Sequence, residues 1–401
     1  MCEHSYGFAA AARSVGIDAR VLPPPDRDSE ILGRPHMVGG ECHPYALILG
    51  DYLKVAREAH QSDGPALFYI IGSDACRLGQ FPTYLDKIRK VMGLPMGVVS
   101  DVDEGLAAFG ISERNRQRLY LRGWEGLNAY DVLLRLFLEI RAHAQDKMHA
   151  EHVYRQCRDR LFEALCEGNI RQGIEEVVHD LLAIPLRDEA PRPMVAVTGD
   201  YYTRVVAYAN NDVYREIESL GGTVWPPPTF SDSLKMATLR DFTWNVLNFR
   251  SREAAQKGLL YALLALGELR VKGTASLRRL FNDPLDLLGR RIWKTASQCA
   301  ETRLPSGITA PIATVMNQVA AGADGVLNLM TLNCSYGTVV TAALVCALRK
   351  SRRVPMLTLV YDGLKKTNER TRIEAFMEQV HDHFNMAREN RQTRLLQRNR
   401  V

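Results

Sequence analysis

The sequence lacks the short motifs that most directly assign a function. Its eight cysteines include no CxxC pair, its ten histidines include no HExxH arrangement, and no GxxxxGK(S/T) phosphate-binding loop is present. These absences argue against a zinc ribbon, a thioredoxin-like redox motif and a helix-borne histidine metal pair. They also mean that ATP hydrolysis, if the protein uses it, must come from a separate partner.

A strong charge of one sign and long hydrophobic runs are also missing. The net charge is +5, but residues 386–401 contain five arginines and one glutamate, which leaves the rest of the chain almost neutral. We therefore expect no nucleic-acid partner and a solvated helix end at the basic tail. No apolar run reaches spanning length and the first residues do not resemble a signal peptide, so we expect a cytoplasmic protein without a membrane partner.

Two segments have the pattern of α/β units, in which short apolar strands alternate with amphipathic helices. The first contains the predicted strands "DARVLP", "ALFYIIG" and "MGVVS"; the second contains "MVAVTGD", "TVW", "GVLNLMTLN" and "PMLTLVYDG". We expect a first α/β domain over 1–111, a helical segment over 112–190, a second α/β domain over 191–385 with a helical insertion at 234–300, and the tail at 386–401. The first unit opens on a helix, so its first strand is either missing, supplied by another chain, or part of a longer protein.

Three cysteines lie where an open α/β sheet binds ligands, in the loops that lead from strands into helices. Cys76 follows the strand "ALFYIIG", Cys334 follows "GVLNLMTLN", and Cys42 lies in the glycine-flanked turn "GGECHP" before a helix. A helix N-terminus favours a thiolate or an anionic cluster. Position alone leaves three possibilities open: an iron–sulfur cluster, a zinc ion with His43 or His36 as fourth ligand, or no metal.

The remaining cysteines have no such position. We expect them to be small core residues or unremarkable thiols. They are Cys2 at the terminus, Cys157 and Cys166 in the middle of a helix, Cys299 in a helical stretch, and Cys346, which its apolar neighbours predict to be buried.

Several blocks resemble the 2-hydroxyacyl-CoA dehydratase superfamily. The blocks are "VGGECHPYALILGDYLK", "GSDACRLGQF", "YYTRVVAYANNDVYREIESLGGTVWPPP" and "LNCSYG…TLVYDG…TNERTRIEAFMEQV". The likeness is strongest to the large C-terminal region of activase-fused relatives, the CoA-substrate-specific enzyme activases, without the ATPase domain. It runs in order from about residue 2 to residue 385.

The resemblance implies two Rossmann-like, flavodoxin-like parallel-sheet domains with helical additions. It also implies a 4Fe-4S cluster in the cleft between them, with Cys42, Cys76 and Cys334 as ligands. The implied partners are an ATP-dependent activase on a separate chain, an acyl-CoA substrate, and a second dehydratase-like subunit or a second copy of the chain. The sequence departs from the family pattern at two places, Asp74-Ala75 before Cys76 and Ser335 after Cys334.

Residues beside the cysteines are candidates for catalysis. Arg77 and Gln80 could donate to cluster sulfides or to a substrate carbonyl, or could simply stabilise their loop. Glu41 could relay protons or cap the following helix. The run Asn210–Asp212 has the pattern of a helix N-cap, and we expect His381 and His383 to lie on a solvated helix end.

The favoured hypothesis is an anaerobic iron–sulfur protein that takes low-potential electrons from an activase for radical dehydration or reduction of a thioester-like substrate. The alternatives are a non-catalytic electron-transfer or cluster-maturation component, and a zinc-binding or metal-free interaction protein on the same fold.

Overall fold

The structure, a computed structural model, describes residues 2–56, 66–70, 76–188, 190–226, 231–273, 290–301, 304–351, 354–364 and 368–398. Its strands form two parallel sheets, one of two strands in the order β1-β2 and one of four in the order β4-β3-β5-β6. The strands are β1 (Leu67–Tyr69), β2 (Gly97–Val99), β3 (Met194–Gly199), β4 (Thr223–Trp225), β5 (Gly325–Thr331) and β6 (Met356–Tyr361).

Helices surround both sheets and make up most of the chain. The helices before the large sheet are α1 (Cys2–Arg13), α2 (Arg27–Gly33), α3 (His43–Ala56), α4 (Phe81–Met92), α5 (Val102–Ala108), α6 (Glu113–His143), α7 (Lys147–Glu167) and α8 (Ile170–Leu182). Those that follow are α9 (Tyr201–Val205), α10 (Val213–Ser219), α11 (Ser231–Leu247), α12 (Ser251–Lys272), α13 (Arg290–Cys299), α14 (Ser306–Ala320), α15 (Ser335–Ser351) and α16 (Glu369–Arg398). In the described residues, no helix is both long and apolar enough to cross a bilayer.

The strands of the parallel four-stranded sheet all come from the second predicted α/β unit. All residues of β5 are buried and the centre of β3 is buried too, as expected for parallel strands covered on both faces. Ala196 and Val326 pack with α14 and α15 on one face, whereas Val197 and Leu327 pack with the core that includes α10 and α16 on the other. The carboxyl ends of β3, β5 and β6 consequently lie at one edge.

The first unit is smaller than its sequence predicts. The predicted strand "DARVLP" is wrong, because residues 17–26 form neither helix nor strand. Their polar backbone groups are used locally: the amide of Ala19 donates to the carbonyl of Ile17 and the Ala19 carbonyl accepts from Arg13 Nε. A strand needs a neighbour to pair with, and here β1 pairs with β2 over three residues. Residues 71–72 of the predicted strand "ALFYIIG" lie outside the described part.

The segment 112–190, which the sequence predicts to be helical, contains α6, α7 and α8. Helix α1 packs on α6 rather than on a sheet of its own, and the crossing is tight because Gly7 lies against Gly126. On the other side, Arg141 of α6 forms a buried ion pair with Glu218 of α10, with Arg141 Nη2 2.7 Å from Glu218 Oε1. The long helix α6 thereby joins the N-terminal part to the second α/β unit.

The predicted insertion at 234–300 is helical where it is described. Helices α11 and α12 pack as an antiparallel pair whose register is fixed by ion pairs between Lys235 and Glu268 and between Lys257 and Asp241. Helix α13 then packs on α14. Residues 274–289 of this insertion lie outside the described part, as do residues 399–401 of the basic tail, although α16 continues through the tail as far as Arg398.

A cavity of about 590 Å³ lies between α2 and α3, and carboxylates dominate its polar lining. Asp26, Asp28 and Asp51 line it together with a single cation, Lys54. Burial raises the pKa of Asp51 to about 6, even though Ser29 Oγ donates to it at 2.6 Å and Lys54 lies nearby. A cavity of this charge is unsuited to the phosphates of an acyl-CoA.

Asp51→Asn is expected to stabilise the protein at neutral pH. A carboxyl whose pKa is raised on folding destabilises the folded state once it ionises, so this penalty is absent below about pH 4 and complete above about pH 6. We expect the free energy of unfolding to rise by about 1 kcal/mol near pH 7, a value reduced for solvent screening at this half-buried site, with little change near pH 4. Urea denaturation at both pH values measures the difference. Asp28→Asn, at an exposed carboxylate of the same cavity, is the control, and equal effects of Asp51→Asn at both pH values would contradict the prediction.

Candidate functional site

The three predicted cysteines each lie directly before a helix. Cys42 precedes α3, and Cys334 lies between β5 and α15. Cys76 is the N-cap of a short 3-10 helix, Arg77–Gln80, that leads into α4. All three therefore lie where backbone amides are unpaired and where the helix dipole favours a negative group.

Hydrogen bonds tie the Cys42 loop to the carboxyl end of β5. The amide of His43 donates to Thr331 Oγ1 at 3.1 Å, and Asn333 Nδ2 donates to the carbonyl of Gly39 at 3.3 Å. Asn333 has a left-handed backbone (φ +63°), which asparagine tolerates and which turns the chain from β5 toward α15. Cys42 and Cys334, 292 positions apart in sequence, are brought to one place by these contacts.

The thiols are close enough to affect one another's ionisation. Burial raises the pKa of Cys42, and the charges of Asp200, Cys76 and Cys334 raise it further. Burial and then Asp200 raise the pKa of Cys334 to about 12, and Cys76 contributes in the same direction. Burial likewise raises the pKa of Cys76. Electrostatic effects thus link the three predicted thiols and Asp200, and hydrogen bonds hold the loops of Cys42 and Cys334 together.

Backbone amides point at two of the sulfurs. The amide of Gly337 donates to Cys334 Sγ at 3.2 Å, and the amides of Arg77 and Leu78 lower the pKa of Cys76 against the effect of burial. Gly337 also gives the sulfur room, since a Cβ there would lie 3.1 Å from Cys334 Sγ and 3.0 Å from Met330 Cε. These N–H groups stabilise a sulfur that carries negative charge.

The three candidate catalytic residues beside the cysteines differ in what they contact. Glu41 is buried, and its Oε2 accepts from the amides of Val38 and Gly39, both at 3.1 Å, so it closes the turn before Cys42 instead of capping α3. The charge of Arg77 lowers the pKa of Cys76, which puts the guanidinium beside the site. Gln80 Oε1 accepts a hydrogen bond from the Tyr84 hydroxyl at 2.9 Å, which supports the loop-stabilising alternative.

His43 adjoins Cys42 in sequence, but its ring belongs to a different cluster. Its Nε2 lies 3.5 Å from Glu30 Oε1, and burial lowers the pKa of the imidazole. Arg34 and Tyr208 bind the same glutamate at 2.6 and 2.9 Å. The ring thus faces a polar contact with the second α/β unit, and His36 lies on the 3-10 helix Arg34–His36.

The sequence prediction missed Asp200. It directly follows β3 in "VAVTGDYY" and caps α9. The rule that selected the cysteines, a chemically active side chain at the carboxyl end of a parallel strand, also selects this residue.

Two further expectations need correction. Cys346 is exposed, not buried, because α15 buries Val340, Leu344 and Leu348 on its opposite face. The predicted N-cap at Asn210–Asp212 is confirmed in position, since Asp212 is the N-cap of α10, although its side chain makes no capping hydrogen bond.

The histidines of α16 are also less solvated than predicted. His381 Nε2 lies 2.9 Å from the carbonyl of Leu220, and His383 Nδ1 lies 3.7 Å from Asp324 Oδ1, so both contact the loops below the large sheet.

As the side chains stand, the described ranges contain no group of three His, Cys, Asp or Glu residues close enough to hold a single metal ion. The Asp74-Ala75 departure before Cys76 lies outside the described residues.

Comparison with known proteins does not identify a family for this chain. No protein-family model matches the chain, and a search of curated proteins found no match. What the chain does must therefore be argued from these residues and their arrangement.

Proposed function

We propose that this chain is a cytoplasmic iron–sulfur protein that binds one 4Fe-4S cluster through Cys42, Cys76 and Cys334. It would receive low-potential electrons from an ATP-dependent activase on a separate chain and use them for radical dehydration or reduction of a thioester-like substrate. The observation that carries the proposal is the meeting of these three thiols, from loops far apart in sequence, at the N-termini of three helices.

The donor set suits a cluster. Thiolates are the soft ligands that iron–sulfur centres select. Burial, and after it neighbouring negative charge, raises the pKa of Cys42 and Cys334, so thiolates here need nearby positive charge, which a metal centre would supply. The amide of Gly337 at Cys334 Sγ supports a thiolate in the same way that amides support cluster sulfurs.

The need for a fourth ligand favours a cluster over zinc. A cluster can be held by three cysteines, which leaves one iron open. A zinc site would need a fourth ligand, and the His43 ring faces Glu30.

The chain's own contribution is to hold and isolate the centre. The 39–43 loop, fixed to β5 through Thr331 and Asn333, covers Cys42 and leaves it buried. Arg77 brings a positive charge beside Cys76, where it can neutralise a thioester carbonyl oxygen or its reduced form. When bound, the cluster supplies single low-potential electrons and one iron without a cysteine ligand.

The first test is anaerobic purification and reconstitution with ferrous iron and sulfide, followed by metal and sulfide analysis and a visible spectrum. We expect a brown protein with about four irons and four sulfides per chain, bleached by dithionite. Tightly held zinc at about one per chain, or protein without any metal, would overturn the proposal. Zinc would leave the interaction-protein alternative.

The second test concerns the partner. A purified ATP-dependent activase with ATP and a low-potential donor is expected to reduce the cluster, seen as an EPR signal that needs both ATP and the activase. Reduction that proceeds equally well without ATP would contradict the activase part of the proposal while leaving the cluster intact.

A further inference from the structure

Asp200 lies at the edge of the large sheet where the loops of Cys42 and Cys334 also lie. It lies at the carboxyl end of β3, next to the strand that leads to Cys334. The loops of Cys42 and Cys334 lie at the same edge, since the His43 amide donates to Thr331 Oγ1 of β5 at 3.1 Å and Cys334 follows β5. Asp200 is therefore a neighbour of both loops, and its charge raises the pKa of all three thiols.

The backbone leaves Asp200 little freedom. Its amide donates to the carbonyl of Leu329 at 2.8 Å, which anchors it to β5. Gly199 before it has φ +119°, and a Cβ at that position would lie 1.9 Å from the Leu329 oxygen. Only glycine lets the two strand ends approach this closely. The position of Asp200 is thus set by the sheet, as the positions of the cysteines are set by their loops.

Only one oxygen of the Asp200 carboxylate accepts hydrogen bonds among the described residues. Its Oδ2 accepts from the amide and from the hydroxyl of Thr203, both at 2.8 Å. These two bonds fix the plane of the group. Within the described residues Oδ1 has no hydrogen-bond partner. One oxygen is thus held and the other is available to a ligand in the space that the thiols share.

We propose that Asp200 is the fourth protein ligand of the cluster, with its Oδ1 on the iron that the three cysteines leave open. This inference rests on the proposed function. Carboxylate oxygen is a known class of iron ligand and is harder than a thiolate. The centre would then have three sulfur ligands and one oxygen ligand, and an incoming carbonyl or hydroxyl oxygen would compete with Asp200 for that iron. Asp200 would close the cluster at rest and open it to substrate.

The test must separate ligation from helix capping, because Thr203 also makes Asp200 an N-cap. Asparagine caps as well as aspartate does, yet its neutral amide is a poor iron ligand. Asp200→Asn therefore keeps the cap and removes the ligand, and Asp200→Cys replaces oxygen with sulfur. Asp146→Asn makes the same change at another N-cap, on α7, and is the matched control.

The measurement is EPR after brief ferricyanide treatment of the reconstituted, otherwise intact protein. Oxidation removes one electron from the cluster, and an iron without a protein ligand then leaves as Fe²⁺, so that a 3Fe-4S centre remains. We expect a several-fold larger 3Fe-4S signal per cluster in Asp200→Asn than in the wild type and in Asp146→Asn. Asp200→Cys is expected to suppress the signal and lower the reduction potential, because thiolate donates more charge to iron.

The outcomes distinguish this proposal from the one it rests on. Wild-type protein that takes up no iron overturns both. Wild-type protein with about four irons, together with an Asp200→Asn signal equal to the wild-type signal, overturns the assignment of Asp200 alone. If circular dichroism shows that Asp200→Asn is unfolded, Asp200→Cys decides, and an unchanged potential and unchanged 3Fe-4S yield in that variant would exclude ligation.

Discussion

Cys42→Ala, Cys76→Ala and Cys334→Ala are each expected to give folded, colourless protein with almost no iron, against about four irons per chain in the wild type. Each substitution removes one of three thiolates that share a single centre, and two thiolates hold a cluster poorly. The loss should be nearly complete in every variant because the three ligands act as a set. Iron and sulfide analysis after identical reconstitution measures it, and circular dichroism confirms that the fold is kept.

Cys346→Ala is the matched control, since this exposed thiol belongs to α15, the helix that follows Cys334. It should bind as much iron as the wild type. A Cys334→Ala protein with a full complement of iron would contradict the proposed ligand set. Equal losses in Cys334→Ala and Cys346→Ala would point instead to a general effect on folding or reconstitution.

Asp200 bears on whether the protein is an enzyme or an electron carrier. A cluster with four protein ligands is closed, as an electron-transfer component requires. A substrate oxygen can replace a carboxylate on iron more readily than a thiolate, so closure by Asp200 remains compatible with catalysis. Addition of candidate acyl-CoA compounds to the reduced protein therefore discriminates: a changed EPR spectrum indicates displacement of Asp200 and catalysis, and an unchanged one favours electron transfer.

Sequence patterns predict the second α/β unit well because its strands are buried on both faces. Long apolar runs such as "GVLNLMT" have few alternatives to a central parallel strand. The strand predicted at "DARVLP" failed for a non-local reason, since a strand forms only where a partner is available and none pairs with it here. The exposure of Cys346 could not be predicted either, because "TVVTAALVCAL" has no row of polar residues that would mark the solvent-facing side of α15.

The candidate site was predictable only in part. Local sequence identifies Cys42, Cys76 and Cys334 as residues that begin helices, and the sheet rule predicts that such loops meet. The orientation of side chains is not local information. Glu41 turns back to the amides of Val38 and Gly39, and that turn cannot be inferred without the loop's geometry. Asp200 is linked to the thiols through the contact of β3 with β5.

Gly199→Ala is expected to be among the most destabilising single substitutions in this protein. The backbone at Gly199 (φ +119°) disfavours any side chain, at a cost of about 1–3 kcal/mol. The added Cβ would also lie 1.9 Å from the carbonyl oxygen of Leu329, a backbone atom that cannot rotate away. Relief requires β3 and β5 to separate, so we expect a total loss of about 5 kcal/mol or more in the free energy of unfolding.

Gly322→Ala separates the two parts of that loss. Gly322 has a similar backbone (φ +110°), but a Cβ there would meet nothing within 4 Å. It should therefore show the conformational cost alone, about 1–3 kcal/mol, and urea denaturation of both variants followed by far-UV circular dichroism gives the difference. Equal losses would mean that the strand ends can move apart freely. Because the same contact positions Asp200, that result would also remove the structural reason for its closeness to the cysteines.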